Sequence, residues 1–265
     1  MRERKRLHIP TMFACILFAI APAVAGEGGD EDEEGPAPGR WSLGVVGVFS
    51  TSPYKSYDNT ILPLPMISYE GERFFVKNLE AGMYLWKNDN HELSIGARYF
   101  GLSFKPGDTD DVRLKQLDKR YSTVMAKAAY AYSLPYGMQI EASVSQDVLG
   151  QHNGLVGETS FRAPLLMREQ FMVFAEVGAK WSSKKVNDYY YGVSRKEAVR
   201  SGLPQYKAKG GVTPVAGIQA MYTINHKWSA MAGAQVEILN SKIKDSPMVD
   251  KSVITSVMAG VRYSF

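Results

Sequence analysis

The feature that most constrains this chain is a two-residue alternation of apolar and polar side chains that continues from Trp41 to Phe265. In MQIEASVSQD, apolar residues occupy every second position from Met138 to Val144, and polar residues occupy the positions between them. The same alternation recurs in FMVFAEVGAKW, WSAMAGAQVEIL and the closing VITSVMAGVRYSF. Successive side chains of a β-strand point to opposite faces, so this period predicts strands and an all-β fold.

The length of these segments indicates a membrane protein. Several reach ten residues or more, whereas strands of soluble sheets usually have about five or six. A tilted strand of about 9–11 residues crosses a bilayer, and a closed sheet pairs every backbone group inside lipid. We therefore predict a transmembrane antiparallel β-barrel. The alternative is a soluble sandwich or lipocalin-like barrel, which is disfavoured because the polar face carries glycines and charges where a packed core needs bulk.

Aromatic residues near the predicted strand ends support the membrane interpretation, because outer membrane barrels carry aromatic girdles at both interfaces. These residues are Trp41, Trp86, Tyr99, Phe100, Trp181, Trp228 and Tyr263.

The connections between segments set the strand count at about twelve. The predicted strands are 41–50, 61–70, 73–78, 79–87, 92–104, 121–134, 138–148, 154–166, 171–183, 212–225, 228–239 and 252–265. Short connections at 135–137, 167–170 and 225–227 then fall on one side, and the long ones fall on the other, as in bacterial barrels. The two strands between 73 and 87 are short and lack a clear turn, and merging them gives eleven.

The first 25 residues predict a cleaved secretory signal peptide. A basic head, MRERKR, precedes an apolar run that ends in Ala23-Val24-Ala25, a small-x-small cleavage site. A transmembrane helix is the alternative, but the run is shorter than the roughly 20 residues needed to span a membrane. Cys15 lies within this segment, so the mature chain would contain no cysteine. Disulfides and thiolate chemistry are then excluded.

Residues 26–40 predict a disordered, acidic periplasmic leader. The stretch GEGGDEDEEGPAPGR contains six acids with glycine and proline and almost nothing apolar. An acidic peptide that docks on a basic partner is the alternative. The formal charge of the chain is +4, of which the signal peptide contributes +3, so the mature chain is near neutral and gives no support to nucleic-acid binding.

The alternation also predicts which polar residues face the lumen. The candidates are Glu141, Asp147, Glu158, Arg162, Glu176, Lys180, Gln219, Glu237 and Arg262. Twelve strands enclose a lumen of intermediate width. Charges there could pair across the lumen and close it, or could line a narrow diffusion channel.

The stretch NDYYYGVSRKEA, residues 187–198, lies in the longest predicted outer loop. We expect its tyrosines at a membrane interface or folded over the lumen, and the segment SRKEAVRSG can form a short helix. One interpretation is a lid that packs on the barrel rim. The other is a contact with a ligand or partner, since adjacent tyrosines offer stacking surface with hydrogen-bonding tips.

Motifs in order along the chain resemble the MipA/OmpV family of outer membrane proteins. The resembling residues are Ser52-Pro53-Tyr54, Tyr57-Asp58, Pro63-Leu64-Pro65, Tyr69-Glu70, Asp188-Tyr189-Tyr190-Tyr191-Gly192-Val193, Glu197-Ala198, Tyr206, Asp245-Ser246-Pro247 and Tyr263-Ser264-Phe265. The resemblance implies an outer membrane scaffold that links a periplasmic murein transglycosylase to a murein synthase. An adhesin or osmotic-stress surface protein is also compatible with the family.

The candidate partner or loop contacts all come from these motifs. They are Ser52, Pro53, Tyr54, Tyr57, Asp58, Asp188, Tyr189, Tyr190, Tyr191, Gly192, Glu197, Asp245, Ser246 and Pro247. The C-terminal strand ends on Tyr263 and Phe265, which resembles the signal recognised by the barrel assembly machinery. Membrane lipid is the remaining expected partner.

Little in the sequence predicts catalysis. Of the histidines outside the signal peptide, only His152 suggests an alternative, because outer membrane lipases place a serine-histidine pair at the barrel rim. The following Asn153-Gly154 favours a turn instead. No histidine or carboxylate cluster has metal-ligand spacing, so we expect no metal, no cofactor and no enzymatic activity.

Overall fold

The computed structural model describes residues 40–265. The predicted signal peptide, including Cys15, and the predicted leader up to residue 39 lie outside the described residues. None of the helices between residues 40 and 265 is long and apolar enough to cross a membrane.

Twelve antiparallel strands form a closed barrel in which each strand pairs with its neighbours in the chain and β1 pairs with β12. The strands are β1 (Arg40–Ser50), β2 (Thr60–Glu70), β3 (Phe74–Lys77), β4 (Glu80–Lys87), β5 (His91–Phe100), β6 (Thr123–Leu134), β7 (Met138–Asp147), β8 (Leu155–Met167), β9 (Phe171–Ser182), β10 (Gly211–Thr223), β11 (Trp228–Ile238) and β12 (Val253–Ser264). The predicted fold class and strand count are confirmed. The two strands between residues 73 and 87 are separate, joined by a turn in which Asn78 adopts a positive φ of 57°.

The two ends of the barrel differ in the length of their connections. At one end, here called the short-turn end, connections such as Pro135–Gly137 are only a few residues long. At the opposite loop end, segments such as 101–122 and 183–210 join the strands. Outer membrane barrels place short turns in the periplasm and long loops outside, which gives the orientation.

The strand faces follow the predicted alternation. Along β9, Val177 is 54% exposed, whereas the neighbouring Glu176 faces the interior cavity. Trp41, Trp86, Trp181 and Trp228 are exposed on the outer surface near strand ends, as a girdle requires. Phe100 is the exception: it is buried and faces inward, so its assignment to the girdle is wrong.

Three helices lie at the loop end: α1 (Lys184–Tyr191), α2 (Arg195–Ser201) and α3 (Ser241–Lys244). The predicted helix after the tyrosines is α2, which begins with a capping box between Ser194 and Glu197. The three adjacent tyrosines are themselves helical, because they form the end of α1. Short 3-10 helices occur at Pro106–Asp108, Leu114–Gln116 and Pro135–Gly137.

Candidate functional site

The long loops fold together into a second hydrophobic core, which we call the loop cap. It comprises residues 51–59, 101–122, 148–154, 183–210 and 239–252. Its buried side chains form one cluster with the loop ends of several strands: Tyr54, Tyr57, Phe100, Phe104, Leu114, Leu117, Met125, Val156, Val186, Tyr190, Tyr191, Val193, Leu203, Ala208, Leu239, Ile243, Met248, Val249 and Ile254. Residues 101–104, predicted as the end of a strand, belong to this cap because β5 ends at Phe100.

Tyr54 lies at the centre of the loop cap and is only 1% exposed. Its hydroxyl donates a hydrogen bond of 3.0 Å to the carbonyl oxygen of Tyr190. Its ring centroid lies 4.8 Å from that of Phe104 and 5.7 Å from that of Tyr191, and its backbone forms a β-bridge with Val249. One residue, through its side chain and its backbone, therefore joins four loops.

Other residues of the resembling motifs form contacts within and between loops. The Ser246 hydroxyl donates to the Tyr191 carbonyl over 2.6 Å. Asp188 accepts a 3.0 Å hydrogen bond from the Ala208 backbone N–H. The Pro53 carbonyl accepts a hydrogen bond of 3.1 Å from the Asp250 backbone N–H. The Ser52 hydroxyl oxygen accepts a hydrogen bond of 3.2 Å from the Tyr54 backbone N–H.

A buried ion pair connects two of the loops. Arg120 Nη2 lies 2.7 Å from Glu197 Oε1, and both side chains are buried. Glu197 also accepts backbone hydrogen bonds from Asp118 and Ser194, over 3.0 and 2.9 Å. Burial alone would raise the pKa of the Glu197 carboxyl, but these N–H donors and the Arg120 guanidinium outweigh it, so the pKa is lowered.

Burial separates the predicted contacts into two groups. The buried residues are Ser52, Pro53, Tyr54, Tyr57, Tyr190, Tyr191, Gly192, Glu197 and Ser246. Asp58 and Asp245 are exposed, and Asp188, Tyr189 and Pro247 are half-buried. The buried group contacts other loops and has no surface to offer a partner. Of the two interpretations of the tyrosines, the contacts of Tyr190 and Tyr191 match a lid.

His152 is packed inside the loop cap. Its Nδ1 accepts a 3.0 Å hydrogen bond from the Gly154 backbone N–H, and the rings of Phe100 and Tyr190 contact its imidazole. Burial lowers the pKa of His152, and the nearby Asp147 carboxylate offsets this in part. The residue is therefore a neutral, buried turn histidine. Within residues 40–265, no group of three or more His, Asp or Glu side chains is placed to hold a metal.

The lumen contains ion pairs that connect strands which are not neighbours in the sheet. Arg98 on β5 pairs with Glu158 on β8, and Lys180 on β9 pairs with Glu237 on β11. Lys127 on β6 lies 3.0 Å from Glu80 on β4, and it also lies 3.3 Å from Glu141 on the neighbouring β7. Four of the nine predicted lumen residues, Glu141, Glu158, Lys180 and Glu237, therefore lie beside a side chain of opposite charge.

The remaining predicted lumen residues have the following positions. Arg162 Nη2 donates to Gln219 Oε1 over 2.6 Å, and Arg162 lines the interior cavity with Glu176. Arg262 Nε donates to the Ser229 hydroxyl over 3.3 Å. Asp147, at the loop end of β7, accepts a 2.6 Å hydrogen bond from Thr123 and holds the turn that contains His152.

A cavity of about 230 Å³ lies in the lumen and reaches Phe100 of the loop-cap cluster. One side of it is apolar, because Val46, Val48, Met66, Met231 and Met258 form a buried cluster there. Sequence reasoning missed this side, since it assigned only polar residues and glycines to the lumen. The signal was present in β1, where LGVVGVF is apolar at both even and odd positions.

The described chain defines a class of protein: a closed, antiparallel β-barrel with an outward apolar surface and a capped loop end. Residues 43–265 match the family described as MltA-interacting protein MipA. The chain belongs to the MipA family. This confirms the resemblance, and it identifies a non-enzymatic outer membrane protein of a Gram-negative bacterium.

Three relatives illustrate the similarity. The MltA-interacting protein of Escherichia coli strain K12 is 38% identical over 86% of this chain and 92% of its own length. The putative outer membrane protein YiaT of the same strain is 36% identical over 84% of this chain and 90% of its length. The outer membrane protein OmpV of Vibrio cholerae is 27% identical over 86% of this chain and 87% of its own length.

Proposed function

We propose that this protein is an outer membrane scaffold that binds a periplasmic murein transglycosylase and brings it together with a murein synthase. The observation that carries the proposal is the 38% identity, over 92% of its length, with a relative named for its interaction with MltA. Membrane lipid surrounds the barrel, and Tyr263 with Phe265 serves the barrel assembly machinery during insertion.

The short-turn end is the surface we propose for the periplasmic partner. Tyr136 stands there with 87% of its surface exposed, in a tight turn where its φ is 63°. An exposed tyrosine held by a rigid turn loses little conformational entropy on binding, and tyrosine is enriched among residues that dominate binding energy. β1 begins at the same end with Arg40, and the predicted acidic leader, which lies outside the described residues, precedes it in the chain.

Binding of purified MltA to the mature protein in detergent, measured by biolayer interferometry, tests the proposal. We expect saturable binding that weakens about 10-fold or more in Tyr136→Ser, as for an interfacial hot spot. Val199→Ser is the matched control, because Val199 is 83% exposed but lies in the loop cap. Absence of binding by the unmodified mature protein would refute the scaffold function. Loss of binding on deletion of residues 26–39 would place the contact in the leader.

The alternative of a diffusion channel receives support only from the lumen cavity. Phe100 of the loop-cap cluster lines that cavity, and Lys127 forms ion pairs in it with Glu80 and Glu141. We therefore favour the scaffold over the channel.

A further inference from the structure

The barrel wall is incomplete between β2 and the β3–β4 hairpin. β2 runs over Thr60–Glu70 and pairs with β1 along its whole length, but β3 pairs only with Ser68, Tyr69 and Glu70. The hairpin turns back at Asn78, whose N–H donates to the Ile67 carbonyl over 2.8 Å. Among the described residues, no strand therefore pairs with this edge of β2 between Thr60 and Met66.

The sequence of β2 suits an open edge. In the odd-numbered residues of β2 and the turn after it, the backbone N–H and C=O groups point towards β3. The Gly71 N–H donates to the Phe74 carbonyl, and the Ile67 carbonyl accepts from the Asn78 N–H. Backbone direction alternates along a strand, so Pro63 and Pro65 face the opening as well. Proline has no N–H, which removes two donors that a membrane could not satisfy. The motif Pro63-Leu64-Pro65 thereby lowers the cost of leaving this edge unpaired.

The lumen cavity reaches the opening. Leu64 and Met66 line the cavity from the inner face of β2, and the outward-facing Pro65 between them lines it too. Across the gap, Leu79 and Tyr99 complete the lining and are 39% and 40% exposed. Residues from both faces of β2 therefore line the cavity, and those beside the opening, such as Leu64, Pro65 and Leu79, are apolar.

The lining defines what the cavity would accept. Beyond the opening lies the apolar side formed by Val46, Met66, Met231 and Met258. The rest of the cavity lining includes four basic and four acidic side chains, so their formal charges cancel. Among them, Lys127 forms ion pairs with Glu80 and Glu141. This arrangement fits a hydrocarbon chain attached to a zwitterionic headgroup. At this height of the wall, the outward-facing Ile61 and Ile67 of β2 are 72% and 40% exposed, as side chains in contact with the hydrocarbon of a bilayer are.

We propose that the opening between β2 and the β3–β4 hairpin is a lateral portal, through which the hydrocarbon chain of a zwitterionic membrane amphiphile enters the lumen. The proposal does not depend on the scaffold function, because it concerns the wall and lumen rather than the short-turn end.

Photo-cross-linking tests the portal. The mature protein is reconstituted into phosphatidylcholine vesicles that contain lysophosphatidylcholine with a diazirine at the end of its acyl chain, and labelled peptides are identified by mass spectrometry. We expect label on inward-facing Met66, Met231 or Met258, in addition to label on outward-facing residues. In Leu64→Trp, which fills the opening, lumen label should fall about fivefold or more. In Leu165→Trp, on the outer face of β8 across the barrel, it should not change.

Each other outcome overturns the proposal. Label confined to outward-facing residues would mean that no chain enters. If Leu64→Trp leaves the labelling of lumen residues unchanged, the acyl chain reaches the lumen by a route other than this opening. Heat-modifiable gel mobility of each variant verifies that the barrel is folded.

Discussion

The loop cap and the lumen are adjacent along the barrel axis, yet their interiors are held by different interactions. Inside the loop cap, aromatic rings pack at centroid distances such as the 4.8 Å between Tyr54 and Phe104, and the buried Arg120–Glu197 pair adds a polar connection. The lumen wall carries ion pairs such as Lys180–Glu237, and the Lys127 pairs with Glu80 and Glu141 line a cavity. The comparison indicates that the loops are a folded unit with a core, whereas the lumen remains partly open space.

The largest expected effect is on the core of the loop cap. Tyr54→Ala removes a fully buried ring and the hydrogen bond to Tyr190, and such truncations cost about 3–5 kcal/mol. We expect proteolysis at Lys184-Lys185 or Arg195-Lys196 to accelerate at least 100-fold. Tyr136→Ala, at the opposite end and 87% exposed, should leave this cleavage unchanged. Equal cleavage of both variants would contradict a cooperative cap.

The next effect concerns the buried ion pair. Glu197→Ala leaves Arg120 without its carboxylate and removes the acceptor of the Asp118 N–H, so we expect a loss of about 3 kcal/mol of cap stability. The double variant Arg120→Met with Glu197→Leu should recover part of this loss, because no charge is then buried alone. Protease susceptibility of the single and double variants measures the difference.

A pH dependence follows from the same carboxylate. The pKa of Glu197 is lowered in the folded cap, so its stabilisation is present above the ordinary value of 4.5 and is lost as pH falls through the lowered pKa. Wild-type cap protection should therefore decline below about pH 4.5. In Glu197→Gln this part of the decline should be absent, and hydrogen exchange of amides in residues 183–210 is the measurement. An identical pH profile in both proteins would exclude Glu197 as the titrating group.

The smallest expected effect is in the lumen. Lys180→Met removes the lysine that pairs with Glu237, but Gln235 Nε2 still donates to the Glu237 carboxylate over 3.3 Å, so we expect a loss of only about 1–2 kcal/mol in barrel stability. The temperature at which the heat-modifiable gel shift is lost provides the measurement. A loss as large as that of Tyr54→Ala would mean that the lumen is as tightly packed as the loop cap.

The sequence predicted the barrel far better than the loop cap. Alternation is local, so segments such as 138–147 could be assigned to strands and faces from neighbouring residues alone. Cap contacts are distant in sequence: Tyr54 and Tyr190 are 136 residues apart, and no periodicity links them. The family motifs included both residues, but the motifs alone could not tell whether these residues contact other loops or a partner. Their burial in the structure shows that they contact other loops. The wall opening was also missed, because a short β3 leaves no local pattern beyond the prolines of β2.

Planar-bilayer recording of the purified, folded protein tests the central claim that the loop cap closes one end of the lumen. The account predicts no steady single-channel conductance from the wild-type protein, with steps appearing when the loop cap is destabilised by Tyr54→Ala. Steady conductance steps from the wild-type protein would contradict a closed cap.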